Sequence, residues 1–146
     1  DAIGSTPALA LKGKAGVALA KCCYQRYLDI FQGPVFAMLR LAHIRPQTLL
    51  WASTGSKNPE LSDVHYLEPL IGAKTITTLP DATLAAFRDH GQAADTLMNG
   101  MDEAQAHGER LAALGIDLRE VGETLQIEGV ALFAAAYEKL LSSVQG

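Results

Sequence analysis

Cysteine is scarce here and poorly placed for chemistry. Its only two copies, Cys22 and Cys23, are adjacent inside a helical pattern, and helical neighbours point about 100° apart. They make no ready ligand pair, and no Cys-x-x-Cys spacing accompanies them. They are read as reduced, half-buried packing residues of a cytoplasmic protein. Histidine is equally dispersed: His43, His65, His90 and His107 form no i, i+4 pair, so no metal is expected. Glu103 and His107 have that spacing but sit on a polar helix and read as a solvated pair. Asp102 and Glu103 are adjacent, hence splayed around the helix and unsuited to paired acid/base work. No apolar run approaches the ~18 residues of a membrane span, and no signal-peptide pattern is visible. Twelve Lys and Arg against sixteen Asp and Glu leave a net charge of −4, whereas nucleic acid is bound by basic patches or stripes. Neither a repeat nor a low-complexity tract appears, and residues 1–146 read as one structural unit without a linker.

Core-forming residues are plentiful: 49% are apolar and 19% charged, enough to exclude disorder. Between Ala8 and Gln32, Val17, Tyr24, Leu28 and Phe31 recur at helical spacing, with Leu19, Cys23, Tyr27 and Ile30 as a second stripe. Such a broad apolar face is buried against a sheet and other helices. Gly33-Pro34 stops that helix, and Val35 to Ala42 forms a short one. Residues 48–52 are too short and apolar for a surface helix and read as a buried parallel strand. Residues 75–78 form a second strand, and the connection between the two predicts parallel neighbours. Ser62 or Asp63 opens an intervening helix carrying Val64, Leu67, Leu70 and Ile71, with Pro69 limiting its regularity. Further helices are expected over Ala82 to His90, over Met101 to Leu114 with Gly115 as the stop, and beyond Asp117, whose spacing to Glu120 is that of a capping box. Val130, Phe133, Ala134, Tyr137 and Leu141 give the last helix one apolar face.

The stretch that carries chemistry follows the first strand. Ser53, Thr54 and Ser56 supply hydroxyls, Gly55 lets backbone amides approach a ligand, and Lys57 adds positive charge. Asn58 is placed to cap a helix beginning at Pro59, with Glu60 in its first turn. A phosphate suits that loop. An ordinary strand-to-helix connection would use the same turn residues. As a Schiff-base catalyst Lys57 is poorly placed, because that role needs burial or a neighbouring cation to lower its pKa. Lys74, at the start of its strand, is expected in solvent.

Arg45-Pro46-Gln47-Thr48-Leu49-Leu50-Trp51-Ala52-Ser53-Thr54-Gly55-Ser56-Lys57-Asn58-Pro59 resembles the seventh-strand signature of transaldolases of the longer bacterial and plant type. Leu70-Ile71-Gly72 and Thr75 through Leu84 are similar to that family's eighth strand and following helix. Upstream, Lys12-Gly13-Lys14-Ala15, Ala20-Lys21 and Tyr24-Gln25 resemble the helix before strand seven. Gly115-Ile116-Asp117-Leu118 and Glu128-Gly129-Val130 with Phe133 resemble the closing helices. The likeness covers nearly the whole chain.

What the resemblance implies is the C-terminal part of a TIM (β/α)8 barrel, α/β in class and mostly helical, with two parallel strands. A full barrel takes roughly 250 residues, and this sequence has 146. The family's Schiff-base lysine and acid/base carboxylates lie on earlier strands, so no catalytic residue is expected in this chain. The implied reaction moves a dihydroxyacetone unit between sugar phosphates of the pentose phosphate pathway, without metal or organic cofactor. Carried over by position, Ser53 and Lys57 are the phosphate-binding residues, with Thr54 or Ser56 taking part of the role. The implied partners are a sugar phosphate and the missing N-terminal part of the barrel or another chain, and homo-oligomerisation is compatible with this. The competing reading is a non-catalytic remnant that keeps the fold as a partner-binding or assembly module. A third is an unrelated phosphate-binding regulatory domain. On strand eight, Thr75 and Thr77 share one face and Ile76 and Thr78 the other, and which pair faces inward is open.

Overall fold

Pro7 in a first turn and a serine before it start the chain's first helix. In the computed structural model, which describes residues 4–145, the Ser5 hydroxyl accepts from the Ala8 amide at 3.4 Å and opens α1, Thr6–Leu11. The pattern between Ala8 and Gln32 predicts one continuous helix, but Gly13 adopts φ +77° and divides it. A side chain there would be strained by its backbone and would also meet Leu61. The second piece, α2, runs Ala15–Phe31, and α3, Pro34–Leu41, follows the Gly33-Pro34 stop.

Helix α2 organises the core. Tyr24 and Tyr27 are buried with Trp51, Leu70 and Leu97, and Val17, Ala20, Leu28 and Phe31 pack around them. The first predicted stripe therefore faces inward. Of the second only Tyr27 is buried; Leu19 and Ile30 are exposed, as is Cys23, while Cys22 is half-buried. Both thiols are free. Lys21 is buried on the same helix, and its ammonium donates to the carbonyls of Thr96, Leu97 and Asn99 at 2.9, 3.1 and 2.8 Å. Three acceptors match the three N–H groups of an ammonium. Burial pushes Lys21 below its ordinary value of 10.5, and the carbonyls counter that by solvating the charged form.

Strands β1, Leu49–Trp51, and β2, Thr75–Thr77, pair in parallel, Leu49 with Thr75, Leu50 with Ile76 and Trp51 with Thr77. Leu49 and Trp51 join the core around α2, with Thr75 and Thr77 opposite them. Leu50 and Ile76 share the other face and stay about half exposed, at 49% and 52%. The connection between the strands is not the expected pair of helices. Asn58 accepts the Glu60 amide in an Asx turn, and Ser62 accepts the Val64 amide. Three-residue turns follow, closing in a short 3-10 helix at Glu68–Leu70. Pro69 withholds an amide from an α-helical ladder, and the Asn58 and Ser62 side chains bond amides two residues on, so side-chain turns prevail. Val64, Leu67 and Leu70 are nevertheless buried. Helix α4, Asp81–His90, and α5, Met101–Ala113, complete the sequence-predicted set in this region.

The chain divides into two compact units, Asp1–Gly108 and Glu109–Gly146. In the second, Gly115 terminates α5 at φ +77°. The Asp117 carboxylate then accepts the Arg119 amide at 2.8 Å to cap α6, Leu118–Gln145. Leu125, Val130, Phe133 and Tyr137 on that helix are exposed. His107, expected in solvent, is instead buried at 4% exposure. No helix among the described residues is long and apolar enough to cross a membrane.

Candidate functional site

The C-terminal ends of the two strands are fastened together, and the candidate loop grows from that junction. The Trp51 carbonyl accepts from both the amide and the hydroxyl of Thr78, at 2.9 and 3.2 Å, which carries the pairing one residue past β2. Thr54, only 2% exposed, returns the link by donating its hydroxyl to the Thr78 carbonyl at 2.8 Å. That proton is thereby committed to the scaffold. Between them Ser53 takes φ +57°, a left-handed conformation unfavourable for a residue with a Cβ, which turns the chain out of the strand direction. Gly55 then passes so close to α4 that an added Cβ would lie 2.9 Å from Pro80 Cγ and 3.3 Å from Thr83 Oγ1. Only glycine fits there without displacement.

Beyond Gly55 the chain opens into a shallow depression of about 560 Å³, lined by Ser56, Lys57, Asn58, Pro59, Leu61, Ser62 and Asp63. Ser56 donates to the Asn58 carbonyl at 3.1 Å, which holds the loop around Lys57. Lys57 is exposed, in keeping with a solvated ammonium and not with a desolvated Schiff-base nucleophile. Ser53 lies elsewhere. It borders a second, smaller depression of about 290 Å³ with Gly16, Ala20, Trp51, Tyr66 and Leu70. The fold thus brings Ser56 and Lys57 into one concavity and sets Ser53, with the largely buried Thr54, in the neighbouring one.

Asp63 at the larger depression and its partner His90 escaped sequence reasoning. Asp63 lines it, and the His90 ring reaches Asp63 through Nε2 at 3.0 Å and Asp89 through Nδ1 at 3.2 Å. The hydrogen bond to Asp63, then that to Asp89, raises His90 above its ordinary 6.5. Asp63 and His90 are 27 residues apart, and nothing in local spacing pairs them. In the same loop region Glu60 accepts from Lys12, the residue that ends α1, at 2.9 Å, and this contact holds the Glu60 carboxyl below its ordinary range. Among the described residues no group of three or more His, Cys, Asp or Glu is placed to hold a metal ion. Chemically, the loop offers one exposed cation, hydroxyls and an open concavity at strand C-terminal ends, an arrangement suited to holding an anion.

Comparison with known proteins agrees over almost the whole chain. A model of the Transaldolase/Fructose-6-phosphate aldolase family matches residues 1–144. Curated relatives carry the name Transaldolase. One from Thiobacillus denitrificans is 52% identical over 142 residues, covering 97% of this chain and 40% of the relative. Another from Neisseria meningitidis serogroup A is 51% identical over 132 residues, 90% of this chain and 38% of the relative. A third from Mycolicibacterium smegmatis is 44% identical over 147 residues, all of this chain and 40% of the relative. The chain spans about two fifths of the length of these relatives.

Proposed function

The chain belongs to the transaldolase/fructose-6-phosphate aldolase family, and from that premise we propose that it supplies the substrate-phosphate end of a transaldolase active site. The complete protein moves a dihydroxyacetone unit from sedoheptulose 7-phosphate to glyceraldehyde 3-phosphate, yielding erythrose 4-phosphate and fructose 6-phosphate through a lysine Schiff base. The Schiff-base lysine and the carboxylates belong to strands outside this sequence. Both compact units are parts of one β/α barrel domain, β1 and β2 being its last two strands. The half-exposed Leu50 and Ile76 face supports this reading, since it is the face the other strands and their side chains would cover.

The observation that carries the site assignment is the position of Lys57. It stands exposed in a concavity just past the C-terminal end of β1, where barrels of this class commonly bind phosphate. On this reading Lys57 and Ser56 hold the phosphate in the larger concavity, Ser53 joins them from the neighbouring one once the rest of the barrel completes the site, and Thr54 keeps the loop in place. Their work is positioning and charge neutralisation, which fixes the sugar so that its carbonyl reaches the distant lysine. In the complete enzyme, Lys57→Ala should raise KM for sugar phosphates far more than for unphosphorylated dihydroxyacetone donors. Equal losses on both would remove the phosphate role. Ser53→Ala and Ser56→Ala in the same assay rank the two hydroxyls.

A further inference from the structure

Asp63 shares the Lys57 concavity, and in the field of an incoming anion a carboxylate there opposes the lysine. Its partner decides how strongly. Both nitrogens of the His90 ring face carboxylate oxygens, Nε2 toward Asp63 and Nδ1 toward Asp89. Carboxylates only accept, and a neutral imidazole has one N–H, so this geometry fits the imidazolium, which donates from both nitrogens. His90 is also the last residue of α4, where the helix dipole favours a cation. Asp63 and Asp89 are the charged groups that bear on the ring; Glu68 accepts the amide of Gln92, two residues past His90, at 2.8 Å, and Arg88 lies on the same helix.

We propose that His90, acting through Asp63, makes anion binding at Lys57 depend on pH. With His90 protonated, its charge offsets Asp63 and the lysine field reaches the ligand; once His90 is neutral, Asp63 cancels much of that field. His90 is thus a positioning residue for the phosphate end, and the inference rests on the Lys57 assignment made above. The ring's raised proton affinity places the change above the ordinary histidine range. The groups are solvent-exposed, so screening limits the effect to about two- to threefold in affinity at low salt.

Sulfate is the probe, since it keeps its charge across the range and adds no titration of its own. Its affinity for the chain would be measured by NMR at pH 5.5 and 8.5 at constant low ionic strength, together with the His90 ring titration. The expected result is tighter binding at pH 5.5, a His90 pKa raised by sulfate as linkage requires, and a flattened profile in His90→Gln. Asp63→Asn should bind at pH 8.5 about as tightly as the wild type does at pH 5.5. A purely structural His90 would show neither the sulfate-induced shift nor the flattening. If His90→Gln keeps the wild-type profile while Lys57→Ala abolishes binding, this inference falls and the Lys57 site stands. If sulfate does not bind, or binds regardless of Lys57→Ala, both fall.

Discussion

Gly72→Ala offers the sharpest test of how the core holds the two strands. A Cβ at residue 72 would sit 2.6 Å from Leu97 Cβ and 2.7 Å from its Cδ2, against about 3.5–4.0 Å for an ordinary carbon contact. Because the nearest atom is Leu97 Cβ itself, no change of rotamer relieves the clash. The backbones at 71–72 and 96–97 must separate by about 1 Å. Leu97 is fully buried in the cluster with Tyr24, Tyr27 and Trp51, so the movement propagates. The Thr96 and Leu97 amides both donate to the Ile71 carbonyl, at 3.0 and 2.9 Å, and an ångström of separation breaks both. Overpacking costs about 1–3 kcal/mol and each of the two lost hydrogen bonds about 1 kcal/mol, a total of roughly 3–5 kcal/mol. The assay is denaturant unfolding followed by the fluorescence of Trp51, the chain's single tryptophan, which packs in that same cluster. Gly16→Ala is the control: its Cβ would meet only Tyr66 Cε1 at an ordinary 3.5 Å. Inside α2 it should stabilise by about 0.5–1 kcal/mol. If Gly72→Ala shifts stability by less than about 0.5 kcal/mol, the size of a neutral surface substitution, the close approach of these backbones is wrong.

Thr54→Val keeps the shape of a buried side chain but leaves the Thr78 carbonyl without its donor. It should cost about 1–3 kcal/mol, read as a lowered denaturation midpoint, with the amides of residues 53–57 exchanging faster. Ser53→Gly relieves the positive φ, so unfolding should require up to about 1 kcal/mol more, while in the complete enzyme KM for sugar phosphates rises. A variant that is both less stable and fully active would contradict the role given to Ser53. The His90–Asp63 contact also bears on stability. Because the folded-state pKa is raised, its contribution is fully present below the unfolded value and is lost as pH climbs through the folded one. A thermal midpoint that falls with rising pH in the wild type, and less in His90→Gln, is the expected signature; equal slopes would refute it.

Local chemistry made much of this chain legible. Gly33-Pro34, Gly115 and Asp117 mark helix ends because each acts on its own neighbours. The apolar run at 48–52 and the threonines at 75–78 announce strands for the same reason. Lys57 was legible as an exposed cation in a turn-rich loop. Sequence failed where short-range options compete, as between Pro59 and Pro69, where side-chain turns displaced the α-helical ladder that the apolar spacing suggested. It failed too at Gly13, whose left-handed backbone divides a stripe that periodicity alone would continue.

By itself the sequence determined both strands and most of the helices, which loop carries the hydroxyls and the cation, and the family. Those properties depend on residues a few positions apart and on a long contiguous likeness. Only the tertiary structure decided that Trp51 and not Leu50 faces α2, that Thr54 is committed to Thr78, that Ser53 and Lys57 border different concavities, and that His90 reaches Asp63. Each depends on strand register or on contacts across 24 or more positions, distances over which spacing along the chain carries no geometry until the core has packed.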